Sequence, residues 1–409
     1  MHGATLLPLG ASLALALPLW LQPAAEEPRL LLEDLAGKVT ERPLAGLSIT
    51  DPRDEGAAFV RFAGFPEPAG LGAEERDIAR VLLGNGDALT GVVAGGDGDR
   101  LRLRVASAAV IDIAVEEMAS LVFPGRILAD GGAPPVRPEQ GDRLYHRRGR
   151  GLDRVDGLVQ SFAENGVRFE SRFGQRLYGW DEVAALFVEV LDDVERADRA
   201  ASDRVPVAID LRGPYGPSRL RGDLLGIAAD GCRIATRGNP ALFLPAEIVA
   251  EIAVDDGSFR FLSELPPSDA GPVSPFGDTL GYAWPFQVDH AVGGKRPLRA
   301  GGRTWARGIG VHAPSRLEWT LDGDWKELRC LAAIDDQVLE RSLHGSVVFR
   351  VLVDGEERFA SGIVRGGDEP LTLPPIDLTG ARSLVLEVGF ATDHFASDRA
   401  DWLRPILVR

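Results

Sequence analysis

The chain has 409 residues, with 61 acidic against 45 basic side chains and a formal net charge of −16. A surface of that sign repels a phosphate backbone and disfavours nucleic acid as a partner, while the length leaves room for several domains of ~100 to 200 residues each. Cys232 and Cys330 are the only cysteines, too few for a zinc site built on cysteine.

Residues 1–25 read as a secretory signal peptide. Leu6 to Leu21 is uncharged and mostly apolar, the first charged residue is Glu26, and the small pair Ala24-Ala25 stands just before it. The run is shorter than the roughly 20 apolar residues of a spanning helix and contains Pro8 and Pro18. Cleavage near Ala25 is therefore expected, with retention as an anchor as the alternative. The expected location is secreted or in the periplasm or cell envelope, with no membrane span after cleavage.

From there on the chain reads as all-β. Leu101, Leu103 and Val105 alternate with Arg102 and Arg104, Leu384, Leu386 and Val388 alternate likewise, and 48 Gly and 28 Pro supply the turns of many short strands. Residues 26–79 form a degenerate β-unit or lead-in. Three copies of one small β-unit follow, at 80–123, 143–191 and 205–257, separated by linkers at 124–142 and 192–204, the second of which is charged enough for a short surface helix. Each copy carries a strand with a central glycine (Gly91, Gly157, Gly222), then a turn and a second strand. Each closes on an acidic-apolar phrase around Met118, Val183 and Ile248, which are 65 residues apart. Units this small cannot bury a full core alone, so they are expected to lean on one another or on the C-terminal domain. They resemble Sm-like or SH3-like barrels, and their expected role is a spacer or docking surface.

Residues 262–409 are more distinctive. Leu262-Ser263-Glu264-Leu265 is followed by an aromatic segment with Trp284, and then by Gly301-Gly302-Arg303-Thr304-Trp305-Ala306-Arg307-Gly308-Ile309-Gly310-Val311-His312-Ala313-Pro314-Ser315. Ile334-Asp335-Asp336, the strand Val347 to Val353 running into Asp354-Gly355, and Asp398-Arg399-Ala400-Asp401-Trp402 complete the series. In this order the motifs resemble the NPCBM domain, a carbohydrate-binding module attached to family-98 glycosidases and to many exported bacterial proteins. The resemblance implies a galactose-binding-like jelly roll. Read from the residues alone, Leu317, Trp319 and Leu321 alternate with Glu318 and Thr320, which gives a sandwich strand, and Asp354-Gly355 suits a tight hairpin.

A sugar site needs planar donors and acceptors beside an aromatic platform. Candidates are Trp284 and Trp305 as platforms, both in loop-like segments, and His312, either a sugar contact or a buried loop lock. Asp335 and Asp336 would orient a hydroxyl or hold calcium, on opposite faces if they lie in a strand. Asp398, Asp401 and Trp402 form a further set, with Trp402 the residue most suited to the core. Hydrolase, metalloprotease and phosphate-loop motifs are absent from the sequence. The expected function is non-catalytic binding of a neutral, galactose-type glycan. The alternatives are an envelope protein whose sandwich serves protein contact and, behind it, a glycoside hydrolase.

Overall fold

The computed structural model describes residues 27–66, 68–70, 72–107, 109–127, 134–149, 151–190, 204–271, 284–294, 296–392 and 396–409. The expected signal peptide and nearly all of the charged segment 192–204 lie outside the described residues. Those described are nearly all β, and no helix among them is long and apolar enough to cross a membrane.

Three runs of five strands share one plan. The first run is Ile78–Leu83, Ala88–Asp97, Arg100–Ala106, Ala109–Ala114 and Met118–Val122. The second is Asp142–Arg148, Gly151–Ala163, Gly166–Ser171, Gly174–Gly179 and Val183–Phe187, and the third is Val205–Leu211, Ser218–Ala228, Gly231–Ala235, Leu242–Pro245 and Val249–Val254. In each, the fifth strand pairs the first, and the second, third and fourth follow in order. Each second strand carries one extra residue against the third, at Ala94, Gln160 and Leu225, a bulge that bends the strand.

Close approach of the third strand explains the central glycines. A Cβ on Gly91, Gly157 or Gly222 would stand 2.4, 1.9 or 2.5 Å from the carbonyl oxygen of Arg104, Glu170 or Ala235 on the third strand. Only glycine allows the two backbones to close that far.

The runs join through their fifth strands. Leu186 pairs Leu121 antiparallel, merging the first two runs into one ten-stranded sheet. In the third run Ile252 pairs Val60 of the strand Phe59–Ala63, which is followed in the sheet by Arg29–Glu33 and Val39–Pro43. The N-terminal segment thus occupies the places of fifth, first and second strands. One apolar core runs through both sheets, from Leu30 to Val254. The start of the expected linker 124–142 is itself packed: Arg126, on the turn Pro124–Ile127, is buried over the Phe123 ring and donates to the carbonyl oxygens of Arg76 and Val183 at 2.8 and 2.6 Å.

From Phe259 on, the chain forms a two-layer sandwich. The strands Arg399–Val408, Glu327–Ile334 and Gly308–His312 centre one sheet, while Ser383–Phe390 and Ser346–Val353 centre the other, with Ser315–Thr320 at its edge. Leu317, Trp319, Val347, Phe349, Val351, Leu384 and Leu386 fill the space between them. Asp354 and Gly355 both take positive φ, at 50° and 81°, as a two-residue hairpin turn requires.

The sandwich is docked on the N-terminal sheets through an apolar patch ringed by ions. Phe259 and Phe261 meet Phe59, with ring centroids 4.9 and 6.1 Å away, beside Ala253 and Ile406. Arg404, buried over the Phe59 ring, bonds Glu33 and Glu251 of the other domain. Arg307 bonds Asp210 at 2.6 Å and Glu264 at 2.8 Å, and Arg219 joins Asp210 to Asp289 at 2.8 Å each. Cys232 and Cys330 are both buried and unbridged.

Candidate functional site

The loops that carry the sequence candidates gather at one end of the sandwich. The strands Gly308–His312 and Glu327–Ile334 finish there and Arg399–Val408 starts there, since His312 pairs Arg399 and Ile334 pairs Ala400. Ser346, which opens a strand of the second sheet, donates its amide to Asp398 Oδ1 at the same end.

A cleft of about 610 Å³ opens beside these loops. One wall is the hairpin Leu298–Ala300 and Arg303–Trp305, turned by Gly301 and Gly302 with φ of 61° and 69°. The turn after Ile334 supplies Asp335, Asp336, Gln337 and Glu340, and Asp368 and Glu369 face it from the loop before Pro370. At the mouth Arg296 and Glu340 pair at 2.8 Å, which holds the Glu340 carboxyl below its ordinary range.

The turn grips the hairpin directly. Asp335 caps the 3-10 turn Asp336–Glu340, accepting the Gln337 amide at 2.9 Å, and its second oxygen accepts the Arg299 amide at 3.0 Å. Asp336 accepts the Gly302 amide at 2.8 Å. The strand ends at Ile334, so the two acids do not sit in a strand with opposite faces, as the sequence reading had it. The turn lets both reach the same hairpin.

His312 lies next to this system. Its ring is buried and stacks on half-buried Trp284 at 3.9 Å and 15°. Nδ1 lies 2.8 Å from the Ala313 carbonyl oxygen, an arrangement that assigns the proton to Nδ1 and leaves Nε2 as an acceptor. Burial, aided by Arg399 and Arg341, pushes the imidazole pKa down, so the ring stays neutral at pH 7. Arg399 connects the two halves of the site, donating to Val292 O at 3.1 Å and to Gln337 Oε1 at 3.0 Å.

The NPCBM/NEW2 domain family matches residues 260–408. Those residues are an NPCBM domain. The family comprises carbohydrate-binding modules found in glycoside hydrolases. Two curated proteins resemble part of the chain. One, from Renibacterium salmoninarum, is provisionally named an endo-alpha-N-acetylgalactosaminidase and is 30% identical over 114 residues, 28% of this chain and 7% of that protein. The other is the alpha-1,3-galactosidase B of Akkermansia muciniphila, 35% identical over 109 residues, 26% of this chain and 13% of that protein. The match thus spans a small fraction of either relative. Among solved structures, the CBM51 module of Clostridium perfringens GH95 in complex with methyl-galactose is similar at 22% identity and a TM-score of 0.32, covering 37% of this chain and 99% of that one. The tandem CBM51 modules of Sp3GH98 from Streptococcus pneumoniae align at 12% identity and a TM-score of 0.31, over 84% of this chain and 96% of theirs.

Four candidates of the NPCBM domain are corrected by their burial. Trp402 is fully enclosed in the sandwich core, 5.0 Å from Phe349 in an edge-on contact, and presents no face to a ligand. Trp305 lies in a strand, not a loop, and is buried beneath Arg303 with its indole N–H on Ala300 O. Asp398 is enclosed and locks the Ser346 amide, and Asp401 is enclosed beneath the hairpin. Among the described residues no three His, Cys, Asp or Glu side chains stand close enough to hold a metal ion; both Asp335 oxygens accept backbone amides, and Asp336 accepts one through Oδ2.

Arg296, Arg299, Gln337, Glu340, Asp368 and Glu369 escaped the sequence reading, because exposed loop residues carry no periodicity and only the topology brings them together. Arg399 stood inside a recognised motif, but nothing in the motif marks it as the connection between His312 and Gln337.

Proposed function

We propose that the protein is an exported, non-catalytic glycan-binding protein whose NPCBM domain takes a neutral, galactose-type sugar at the loop end of the sandwich. The cleft carries the reading: it sets guanidinium and amide donors against carboxylate acceptors at the spacing of loop walls, the chemistry that an array of hydroxyls requires. Half-buried Trp284, stacked on the buried His312 ring, offers an aromatic edge on one side. The three five-stranded runs are copies of one unit and form a spacer that holds the module away from its point of attachment.

Isothermal titration of the full chain with methyl galactoside and N-acetylglucosamine tests the reading, with an expected Kd on the order of 10⁻³ to 10⁻⁶ M for a shallow polar site. Arg299→Ala and Glu369→Ala should each weaken it by about tenfold, the loss of one hydrogen bond to ligand. A glycan array without a single bound sugar would overturn the proposal. In that case protein contact becomes the better reading, and one observation already favours it: among the described residues lining the cleft there is no aromatic ring.

A further inference from the structure

Under the hairpin wall lies a carboxyl whose partners are unusual. Asp401 sits on the outer face of its sheet between Gly310 and Ala333, roofed by Leu298, Ala300, Trp305 and Leu403. It is 1% exposed, and neither of its oxygens receives a donor among the described residues. What faces it is the carboxyl of Asp335. Two anions cannot persist in contact in an apolar enclosure; one of the pair must hold a proton.

The geometry decides which. Asp335 accepts backbone amides on both oxygens, from Gln337 and from Arg299, which favours its anionic form. Asp401 has no such support, and burial followed by the Asp335 charge pushes its pKa well above the ordinary carboxyl value. Other charged groups nearby are engaged elsewhere. On the turn, Asp336 holds Gly302, and on the hairpin Arg303 lies over Trp305. Next to the strand through Gly310, Arg307 is committed to Asp210 and Glu264 and His312 is neutral. On Asp401's own strand, Arg399 bonds Val292 and Gln337, and Arg404 bonds Glu33 and Glu251.

We propose that Asp401, as the neutral acid, is a positioning residue of the cleft, its O–H donating to the Asp335 carboxylate and fixing it where it pins the Arg299 amide and the hairpin wall. The direction with pH follows. The support is complete below the ordinary carboxyl pKa and is lost as pH rises through the raised one, when two adjacent anions repel and Asp335 releases the hairpin. The effect on sugar affinity rests on the proposed function, whereas the effect on the hairpin does not.

Hydrogen exchange by mass spectrometry on the full chain, from about pH 5 up to the alkaline limit of the fold and corrected for intrinsic rates, reads the hairpin through the segment 296–305. Wild-type protection of that segment should fall about tenfold or more across the range, and Asp401→Asn, whose amide donates at every pH, should hold it flat. Methyl galactoside affinity should follow the same two curves. Constant wild-type protection, or an equal slope in D401N, overturns the inference, and the wild-type titration decides alone if the variant does not fold. Calcium that raises protection in the wild type but not in D401N also overturns it, since a cation would then join the carboxylates. A hairpin that loosens as expected in a protein that binds no sugar refutes the proposed function and leaves this inference standing.

Discussion

Glu251→Gln should destabilise the protein more than Arg404→Met, although both remove one partner of the same buried contact. Three guanidinium groups meet two carboxylates there. Arg404 bonds Glu33 and, at 3.3 Å, Glu251; Arg61 lies 3.2 Å from Glu33 and 3.9 Å from Glu251; Arg303 stands 4.0 Å from Glu251. The excess of positive charge shows in Arg303, whose pKa burial and the nearby Arg61 push down to about 10. Replacing Glu251 leaves three cations to one anion, an uncompensated burial that costs about 3–5 kcal/mol. Replacing Arg404 by Met leaves two and two and fills the space over Phe59, so the loss is about 1–2 kcal/mol of hydrogen bonding and packing. Urea unfolding followed by tryptophan fluorescence measures both. E251Q should also split the transition, because the contact joins the sandwich to the N-terminal sheets and its loss lets each unfold alone. An R404M that costs as much as E251Q would refute the charge count.

Other changes test the fold and its buried groups. Gly157→Ala places a Cβ 1.9 Å from the Glu170 carbonyl oxygen and should cost about 1–3 kcal/mol in thermal or urea unfolding, while Gly151→Ala, with open space around it, should be near neutral. Asp398→Ala leaves the enclosed Ser346 amide without its acceptor and should cost about 1–3 kcal/mol by the same measurement. Burial pushes the Cys232 thiol up to about 12 and raises Cys330 as well, so Ellman's reagent should find no reactive thiol at pH 8 in the native protein and two after unfolding.

The class of fold was open to reading because it is written in local pattern. Alternation such as Leu101, Leu103 and Val105 marks a strand with one buried face wherever it occurs, and those three side chains are buried. Asp354-Gly355 marks a hairpin through its own backbone preference. The glycines at 91, 157 and 222 were visible as a recurring phrase, but their reason, a carbonyl oxygen on the next strand, is a tertiary fact. Asp335 and Asp336 were misplaced because the end of a strand cannot be located to one residue from alternation, and that residue decides which way each carboxyl points. Trp305 and Trp402 illustrate a different limit: glycine neighbours suggested exposure for the first, and a shared motif suggested a ligand role for the second, whereas burial in the sandwich depends on what covers each ring. The ionic contact between domains left no trace at all, since Glu33, Glu251 and Arg404 are remote in sequence and each resembles an ordinary surface charge.

That contact bears on how the protein would engage a crowded glycan surface. A module on a loose tether samples many orientations and gives up that freedom each time it lands. On the proposed function, the cleft end of the sandwich would hold a fixed bearing relative to the N-terminal sheets, so little swivelling freedom would be surrendered on landing. The cost is reach: a glycan offered at the wrong angle is missed, and two such proteins anchored side by side can engage neighbouring chains only where the spacing and tilt of those chains match their own.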